Sequence, residues 1–428
     1  MSAPGDESGV VATFDPPVSP ADLPDDPDEI VARIFDPDLR GELYPLYHRL
    51  REVAPVHRSS HPMMPGGWLV SRLDDCLGVY RNPRAVSDPR TAEHFNHGGA
   101  GGAFYQMLRQ MMLFLESEQH ARVRRIVVSA FTPRALANVA PLTQATADRL
   151  LDDVADSGEM DMVEDFAYQL PIRVIATLLG VPEEGMAVVG RHAYDFARGS
   201  EPATEVDDRT RRADAAAEGF AAYFGELVEQ RRARPGDDVL SALVQAEDAD
   251  GRLTREQVVA TAVLLMQAGH ETTTDMLGNS LVALFRHPEQ LERLRREPDL
   301  TRSAVEELLR FDATNQMNNR LLLDDTDIGG VNVPAGEQAV VMIGAANRDP
   351  VHFDAPDVLR LDRDIRQHVA FGFGAYYCVG ATLARTELQV ALRTLLDRLP
   401  NLRPARDSFT WRSTLRNRGP AELRVAWG

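Results

Sequence analysis

The sequence contains no lysine, so all 46 of its basic side chains are arginines. They stand against 65 acidic residues and leave a formal net charge of -19. A surface of that sign repels the phosphates of nucleic acids and of anionic membranes, so neither is expected as a partner. The balance still allows a local basic patch.

Cysteine is nearly absent as well, since 428 residues hold only Cys76 and Cys378. The two thiols lie far apart in the sequence and in unlike contexts. They therefore indicate no disulfide framework, which suits a reducing compartment. One of them could instead serve as a metal ligand or as a nucleophile.

Long apolar runs are also missing. No stretch reaches the ~18 consecutive apolar residues of a membrane-spanning helix. Residues 1–6 have neither the basic start nor the apolar run of a signal peptide. We therefore expect a cytoplasmic, monomeric protein without a membrane segment.

Composition and apolar spacing divide the chain into a tail and one folded region. Residues 1–28 hold six prolines, several acids and no basic residue, which predicts a flexible tail. Residues 29–428 contain no linker and predict a single domain. Helical spacing dominates this domain, and short strands are predicted only near its start and after Arg310. The expected fold class is mainly α with a minor β region.

The clearest helix is predicted from Thr254 to about Phe285. Thr254 and Gln257 form a capping-box pattern at its start. Residues 258–266 are apolar nearly all round, which is typical of a helix that crosses the interior. A glycine and two polar residues interrupt this pattern at 269–272. Such local violations favour a functional site, with a helix kink beside a water as the alternative.

The strongest signal is the glycine-rich stretch around Cys378, which reads HVAFGFGAYYCVG over residues 368–380. Glycine permits positive φ and close backbone approach. Backbone N–H groups and the start of a helix near Gly380 would favour a thiolate, a strong ligand for iron. Phe371 would shield the sulfur from water. A buried cysteine in a turn is the alternative for an isolated Cys-x-Gly.

The full spacing resembles the haem-binding loop of the cytochrome P450 family, Phe-Gly-x-Gly-x-His/Arg-x-Cys-x-Gly followed by Leu-Ala-Arg-x-Glu. The resemblance implies haem b with Cys378 as the axial iron ligand, and places Phe371, Gly372 and Gly380 in the haem-binding loop. Tyr376 stands where the family has a His or Arg that reaches a haem propionate. A phenol can donate one hydrogen bond there but carries no positive charge.

Residues 268–273 resemble the oxygen-activation motif of the same family. The resemblance implies that Ala268 and Gly269 leave room for dioxygen over the haem. Thr272 would hydrogen-bond the oxygen and Glu271 would relay protons from solvent. The implied P450 fold carries this long central helix across a buried haem.

Other family motifs match more weakly. A Glu-x-x-Arg motif with a later arginine implies a structural cluster of Glu307, Arg310 and Arg363. Buried propionates need charged donors. By resemblance to the family's His-x-x-x-Arg and to a later arginine, the candidates are His120, Arg124 and Arg320.

The resemblance implies a monooxygenase that inserts one oxygen atom from O2 into an organic substrate. C–H hydroxylation and epoxidation both fit, as a tailoring step on a natural-product intermediate such as an antibiotic precursor. A peroxide-dependent haem-thiolate enzyme and a non-catalytic haem sensor are the alternatives. Neither needs the acid–alcohol pair of Glu271 and Thr272.

The chain is too short to add a flavin reductase domain, so electrons are expected from NAD(P)H through a ferredoxin and its reductase. A docking patch for the acidic ferredoxin is expected at Arg122, Arg125, Arg360 and Arg366. The substrate pocket is expected to be lined by 91–106, by 264–268 and by the segment after Arg310. Four amides in that segment favour a substrate with hydrogen-bonding groups, free or carrier-bound, unless they face backbone or water: Asn315, Gln316, Asn318 and Asn319.

Overall fold

The structure is a computed structural model that describes residues 9–14, 23–88, 101–199, 208–248, 251–414 and 416–428. These residues form sixteen α-helices and fifteen short strands, which confirms the mainly helical class. The helices are α1 (Pro27–Phe35), α2 (Leu43–Val53), α3 (Leu73–Arg81), α4 (Ala103–Leu108), α5 (Ser117–Ala130), α6 (Pro133–Ala137), α7 (Val139–Val154), α8 (Gln169–Leu178), α9 (Met186–Arg198), α10 (Asp208–Ala233), α11 (Val239–Gln245), α12 (Arg255–Arg286), α13 (Pro288–Arg296), α14 (Thr301–Phe311), α15 (Ile343–Ala346) and α16 (Ala381–Arg398). The strands are β1 (Gly9–Thr13), β2 (Val56–Arg58), β3 (Trp68–Val70), β4 (Ala85–Val86), β5 (Glu159–Asp161), β6 (Glu247–Asp248), β7 (Gly251–Arg252), β8 (Met317–Leu322), β9 (Thr326–Ile328), β10 (Val331–Val333), β11 (Gln338–Met342), β12 (Arg403–Pro404), β13 (Ser408–Arg412), β14 (Pro420–Glu422) and β15 (Arg424–Ala426).

The described residues group into two compact units. The first comprises those of Ser87–Thr146 and Tyr168–Glu271, and the second those of Asp6–Val86, Ala147–Ala167 and Thr272–Gly428. The single domain predicted for 29–428 stays a prediction. In the described part of the chain, no helix combines the length and the apolar character that a bilayer crossing requires.

The first unit is built from helices. α9 and α10 meet through Phe196 and Phe220, whose ring centroids lie 5.7 Å apart. α4 joins them through Phe104, 4.8 Å from the ring of Phe196. Of the segment 91–106, which is expected to line the substrate pocket, residues 91–100 lie outside the described residues.

The largest sheet belongs to the second unit and has the strand order β2-β3-β11-β8-β4. β3 and β11 run parallel, and the other neighbours are antiparallel. Successive side chains point to opposite faces, so Ala339 and Val341 join one apolar cluster and Val340 and Met342 another. Arg320 lies on β8 opposite Ala339, so this sheet positions a predicted haem-binding residue.

The long helix α12 begins and ends within one residue of its predicted limits. The predicted capping box is present. Gln257 N donates to Thr254 Oγ1 at 3.2 Å, and Thr254 N donates to Gln257 Oε1 at 3.1 Å. The turns at 258–266 and 273–285 are buried on all sides, which confirms the prediction of an interior helix.

A short strand occupies part of the predicted flexible tail. β1 pairs antiparallel with β13, with Gly9 opposite Arg412. Phe14 packs against Phe285 and Phe409, with ring centroids 5.8 and 5.0 Å away. In these residues, ladder hydrogen bonds and a packed aromatic ring outweigh a composition that favours disorder. The flexible tail predicted for residues 1–28 otherwise stays a prediction. The tail residues outside the described set are 1–8 and 15–22.

Candidate active site

A tight loop precedes α16. Gly372 and Gly374 have φ values of +69° and +71°, a left-handed backbone that glycine adopts without steric cost. A β-carbon at Gly374 would lie 2.6 Å from the carbonyl oxygen of Tyr80, so a larger residue does not fit. The loop closes through Cys378 N, which donates to the carbonyl of Phe371 at 3.0 Å.

Cys378 lies at the N-terminal end of α16. A β-carbon at Gly380 would lie 3.9 Å from the sulfur, so the sulfur faces the start of the helix. The positive end of the helix dipole favours a thiolate there. The Cys378 side chain is exposed, whereas Cys76 is buried and burial raises the pKa of its thiol. Cys378 is therefore the thiol suited to a metal.

A buried ionic cluster, here called the Arg310 cluster, joins Glu307, Arg310 and Arg363. Arg310 donates to the two carboxylate oxygens of Glu307 at 2.7 and 2.9 Å, and Arg363 Nε lies 3.0 Å from Glu307 Oε1. Arg310 also donates to the Asn347 carbonyl at 2.9 Å. Asn347 Oδ1 accepts the N–H of Val369 at 2.8 Å. One residue thus links the cluster to the segment that leads into the cysteine loop.

Arg320 is buried between two aromatic rings. Its guanidinium carbon lies 5.2 Å from the ring centroid of Tyr80 and 4.6 Å from that of Tyr376. Nη1 donates to Asn318 Oδ1 and to the Asn319 carbonyl, both at 2.7 Å. Burial lowers the pKa of Arg320, and none of the described carboxylates pairs with it. A buried cation without an acidic partner indicates a site for an anionic ligand group.

Away from its two ends, α12 is accessible between its two buried stretches. Ala268 is exposed there, and Gly269, Glu271 and Thr272 are partly exposed. Glu271 forms an ion pair with Arg198 of α9 in the first unit, so the carboxylate is oriented. In the second unit the hydroxyl of Thr314 donates to the carbonyl of Thr272 at 3.1 Å. The interruption predicted from the sequence is thus an accessible stretch of small and polar residues.

Comparison with known proteins assigns the family. A family model described as Cytochrome P450 matches residues 206–406. The chain is 37% identical over 376 residues to the biotin biosynthesis cytochrome P450 of Bacillus subtilis (strain 168), covering 86% of this chain and 91% of that protein. The chain belongs to the cytochrome P450 family. This P450 is also 37% identical over 393 residues to the mycinamicin IV hydroxylase/epoxidase of Micromonospora griseorubida, covering 89% and 94% of the two chains.

A solved structure shows the same fold. The P450BioI complex with hexadec-9Z-enoic acid ligated acyl carrier protein aligns with a TM-score of 0.85 and 35% identity, covering 91% of this chain and 99% of that one. The chain is therefore a P450 monooxygenase, an oxidoreductase.

The second unit of this P450 fits the haem that its family implies. Cys378 offers an exposed sulfur at a helix N-terminus, where a thiolate is favoured. Arg320 offers a buried cation of the kind that a propionate would complete. Tyr376 replaces the usual His or Arg and stacks on Arg320, so its ring helps to hold that cation.

Two further propionate candidates lie in the first unit. His120 and Arg124 are one turn apart on α5, and His120 is buried. Residues at this spacing share a helix face. Their contact with a haem stays a prediction.

The amides after Arg310 are mostly engaged within the second unit. Gln316 donates to a backbone carbonyl at 2.6 Å, Asn318 accepts from Arg320, and Asn319 lies 3.4 Å from a glutamine oxygen. Gln316 is 1% exposed and out of reach of a ligand. Asn315 is more accessible, and its Oδ1 has no hydrogen-bond partner in the described part of the chain. Of the four amides, Asn315 is therefore the candidate contact for a polar substrate.

Sequence reasoning assigned no role to Glu387, the last residue of the Leu-Ala-Arg-x-Glu motif. Glu387 is fully buried, and neither carboxyl oxygen has a hydrogen-bond partner of normal geometry among the described residues. Burial raises the pKa of Glu387 well above its usual value, and the neighbouring hydroxyl of Thr273 opposes this only in part. The fold therefore favours the protonated carboxyl.

Replacing Glu387 with Gln is expected to stabilise the protein increasingly as the pH rises. The folded state binds this proton more tightly than the unfolded chain, so wild-type stability falls above the unfolded pKa of 4.5. Between the pKa of the unfolded chain and the higher pKa of the folded state, each pH unit lowers the free energy of unfolding of the wild type by up to about 1.4 kcal/mol. Glutamine does not titrate, so the variant does not lose this stability. Thermal unfolding of both holoproteins across a pH series measures the difference. A difference that stays constant with pH would contradict the prediction.

Proposed function

We propose that this P450 binds haem b through Cys378 and inserts one oxygen atom from O2 into a natural-product intermediate, by C–H hydroxylation or epoxidation. The observation that carries the proposal is the exposed sulfur at the N-terminal end of α16. When bound, the haem supplies oxygen activation and transfer. Electrons would come from NAD(P)H through a ferredoxin and its reductase, and the proposed location is the cytoplasm.

The residues of the chain divide the remaining tasks. Cys378 supplies the thiolate, and Ala268 and Gly269 leave space along α12. Glu271, oriented by Arg198, holds and passes a proton, and the hydroxyl of Thr272 hands it on. The propionates would be held by His120, Arg124 and Arg320, and the loop would be shaped by Phe371, Gly372, Tyr376 and Gly380.

The ligand assignment is tested with Cys378→Ala and, as a matched control, Cys76→Ala. We expect the reduced carbon monoxide complex of the wild type to show the red-shifted Soret band of thiolate ligation. Cys378→Ala should lose that band, whereas Cys76→Ala should keep it because Cys76 lies in the apolar core. A band that survives in Cys378→Ala would overturn the assignment, as would a wild type that binds no haem.

The proposed substrate carries a group that donates a hydrogen bond to Asn315 Oδ1. The proposal draws on the partly exposed Asn315, whose Oδ1 has no hydrogen-bond partner among the described residues. A carrier-bound form is included because one similar P450 structure contains an acyl carrier protein. Optical titration of the ferric holoprotein with free and carrier-bound scaffolds would test it. We expect Asn315→Leu to weaken substrate binding about tenfold and Asn319→Ala to leave it unchanged. Equal affinity for the wild type and both variants would refute the role of Asn315.

We propose the ferredoxin patch at the four arginines that the sequence indicated, Arg122, Arg125, Arg360 and Arg366. The side chain of Arg366 is 92% exposed, and Arg125 is also exposed. Arg122 donates to two backbone carbonyls in the first unit at 2.9 and 3.3 Å, so it is held in place. Charge reversal at Arg125 or Arg366 should slow reduction by ferredoxin and flatten its salt dependence. A rate of reduction by ferredoxin that stays at the wild-type value at all salt concentrations would refute the proposed patch.

A further inference from the structure

Three ionisable side chains of the second unit meet near the cysteine loop, here called the Arg385 cluster: Glu306 of α14, Arg385 of α16 and His368. Arg385 Nε and Nη2 donate to the two carboxylate oxygens of Glu306 at 2.6 and 3.0 Å. His368 Nε2 lies 3.0 Å from Glu306 Oε2. Burial alone would raise the pKa of Glu306, but hydrogen bonds from His368 and Arg385 outweigh it and lower the pKa to about 2. Glu306 is therefore a permanent anion at neutral pH.

The histidine of this cluster has a defined orientation. His368 Nδ1 accepts the N–H of Ala370 at 3.2 Å. In the neutral ring the proton therefore resides on Nε2, which donates to Glu306. His368 thus anchors the backbone just before Phe371.

The cluster holds the ring of Phe371. The guanidinium carbon of Arg385 lies 4.5 Å from the ring centroid, and the His368 ring lies 6.2 Å from it. Arg385 Nη1 also donates to the hydroxyl of Tyr377 at 3.1 Å, and Tyr377 lies edge-on to Phe371. A planar guanidinium stacks well on an aromatic face. Its bidentate pairing with Glu306 fixes that plane.

Phe371 is tied in turn to the sulfur residue, because its carbonyl accepts the N–H of Cys378 at 3.0 Å. The position of the ring and the shape of the loop are therefore set together. Glu306 lies next to Glu307 in the sequence, yet the two carboxylates serve different clusters. Glu307 organises the buried core, and Glu306 organises the contacts of the loop.

We infer that Glu306, Arg385 and His368 are positioning residues for the loop that carries Cys378, which they hold in shape by fixing the ring of Phe371. The inference rests on the proposed role of Cys378 as iron ligand. Glu306 and Arg385 carry opposite charges in direct contact, so their electrostatic effects on the sulfur largely offset each other. The cluster therefore acts by holding Phe371 in position. Loss of either partner releases Phe371 and loosens the loop, whose backbone joins Phe371 to Cys378.

The test compares Glu306→Gln and Arg385→Gln with Arg393→Gln. Arg393 lies on the same helix, where it pairs with Asp397 and donates to the Leu294 carbonyl at 3.2 Å. The reduced carbon monoxide complex of each holoprotein is followed as the thiolate band converts to the band of the protonated thiol. We expect the first two variants to convert about tenfold faster, the factor for losing a hydrogen bond to a charged group. The double variant should be no faster than the faster single variant, and Arg393→Gln should behave as wild type.

The midpoint potential of each holoprotein distinguishes a positioning role of the Arg385 cluster from an electrostatic one. A purely electrostatic role predicts that Glu306→Gln and Arg385→Gln shift the potential in opposite directions, and a tenfold change in the one-electron equilibrium corresponds to 59 mV. That result would overturn the inference, as would conversion rates equal to those of Arg393→Gln. Arg385→Lys keeps the charge but loses the planar fork, so it should resemble Arg385→Gln. Failure of the proposed function looks different, because the wild type itself would then lack the thiolate band.

Discussion

Replacing Glu271 with Gln is expected to lower kcat by about 10²- to 10⁴-fold, the contribution of a positioned proton donor. Glu271 lies in the accessible stretch of α12 beside Thr272, and glutamine keeps its size but carries no acidic proton. Haem content and substrate affinity should stay at wild-type values. Product formation and oxygen consumption are measured together, and the slow step should show a larger solvent isotope effect.

Arg198→Gln is the matched control for this prediction. It removes the cation that orients Glu271 but leaves the carboxylate, so its effect on kcat should be smaller. With hydrogen peroxide in place of O2 and electrons, Glu271→Gln and wild type should differ little, because peroxide already carries the protons. An unchanged kcat with O2 in Glu271→Gln would refute the proton-relay role. Turnover of the wild type with peroxide but not with O2 and electrons would instead favour a peroxide-dependent enzyme.

Replacing Arg310 with Leu is expected to lower the free energy of unfolding by about 3–5 kcal/mol, the cost of breaking a buried ion pair, because Glu307 loses its bidentate partner and keeps only Arg363. The side chains of Arg310 and Glu307 are both completely buried. Leucine would also leave the carbonyls of Asn347 and Pro356 without their hydrogen-bond donor. Urea unfolding of the purified holoprotein measures the loss.

Arg293→Leu serves as the comparison for the Arg310 prediction. Arg293 forms an ion pair with Asp362 at 2.9 Å, but both side chains are partly exposed. Exposed pairs contribute about 0–1 kcal/mol, so this variant should unfold nearly as wild type does. Equal losses in the two variants would show that burial does not set the contribution of Arg310.

Local patterns predicted the long helix well, because Thr254 and Gln257 lie close enough in sequence for their reciprocal bonds to be encoded in one turn. The strand β1 could not be predicted in this way. Its partner β13 lies near the other end of the chain, and the local proline and acid content favours disorder. Pairing between distant segments leaves little trace in the composition of either one.

In the candidate site, too, some features could be predicted from local sequence and others could not. The cysteine loop could be recognised because its glycines stand where positive φ is required. The pair of Arg198 and Glu271 joins residues 73 positions apart, and no local spacing links them. The orientation of Asn318 and Asn319 depends on the register of β8, since a shift by one residue reverses the faces of a strand.

The Arg310 cluster also constrains a long segment of the chain. Glu307 and Arg363 are 56 residues apart, and closing a loop of that length costs roughly 4 kcal/mol of chain entropy beyond a constant. In a chain without a disulfide, this ionic contact is a non-covalent cross-link. Asn347 connects the cross-link to Val369, so we expect opening of the cluster to loosen the segment that leads into the cysteine loop. A partly unfolded chain in which the cluster has opened is therefore expected to lose the loop geometry around Cys378, the proposed iron ligand.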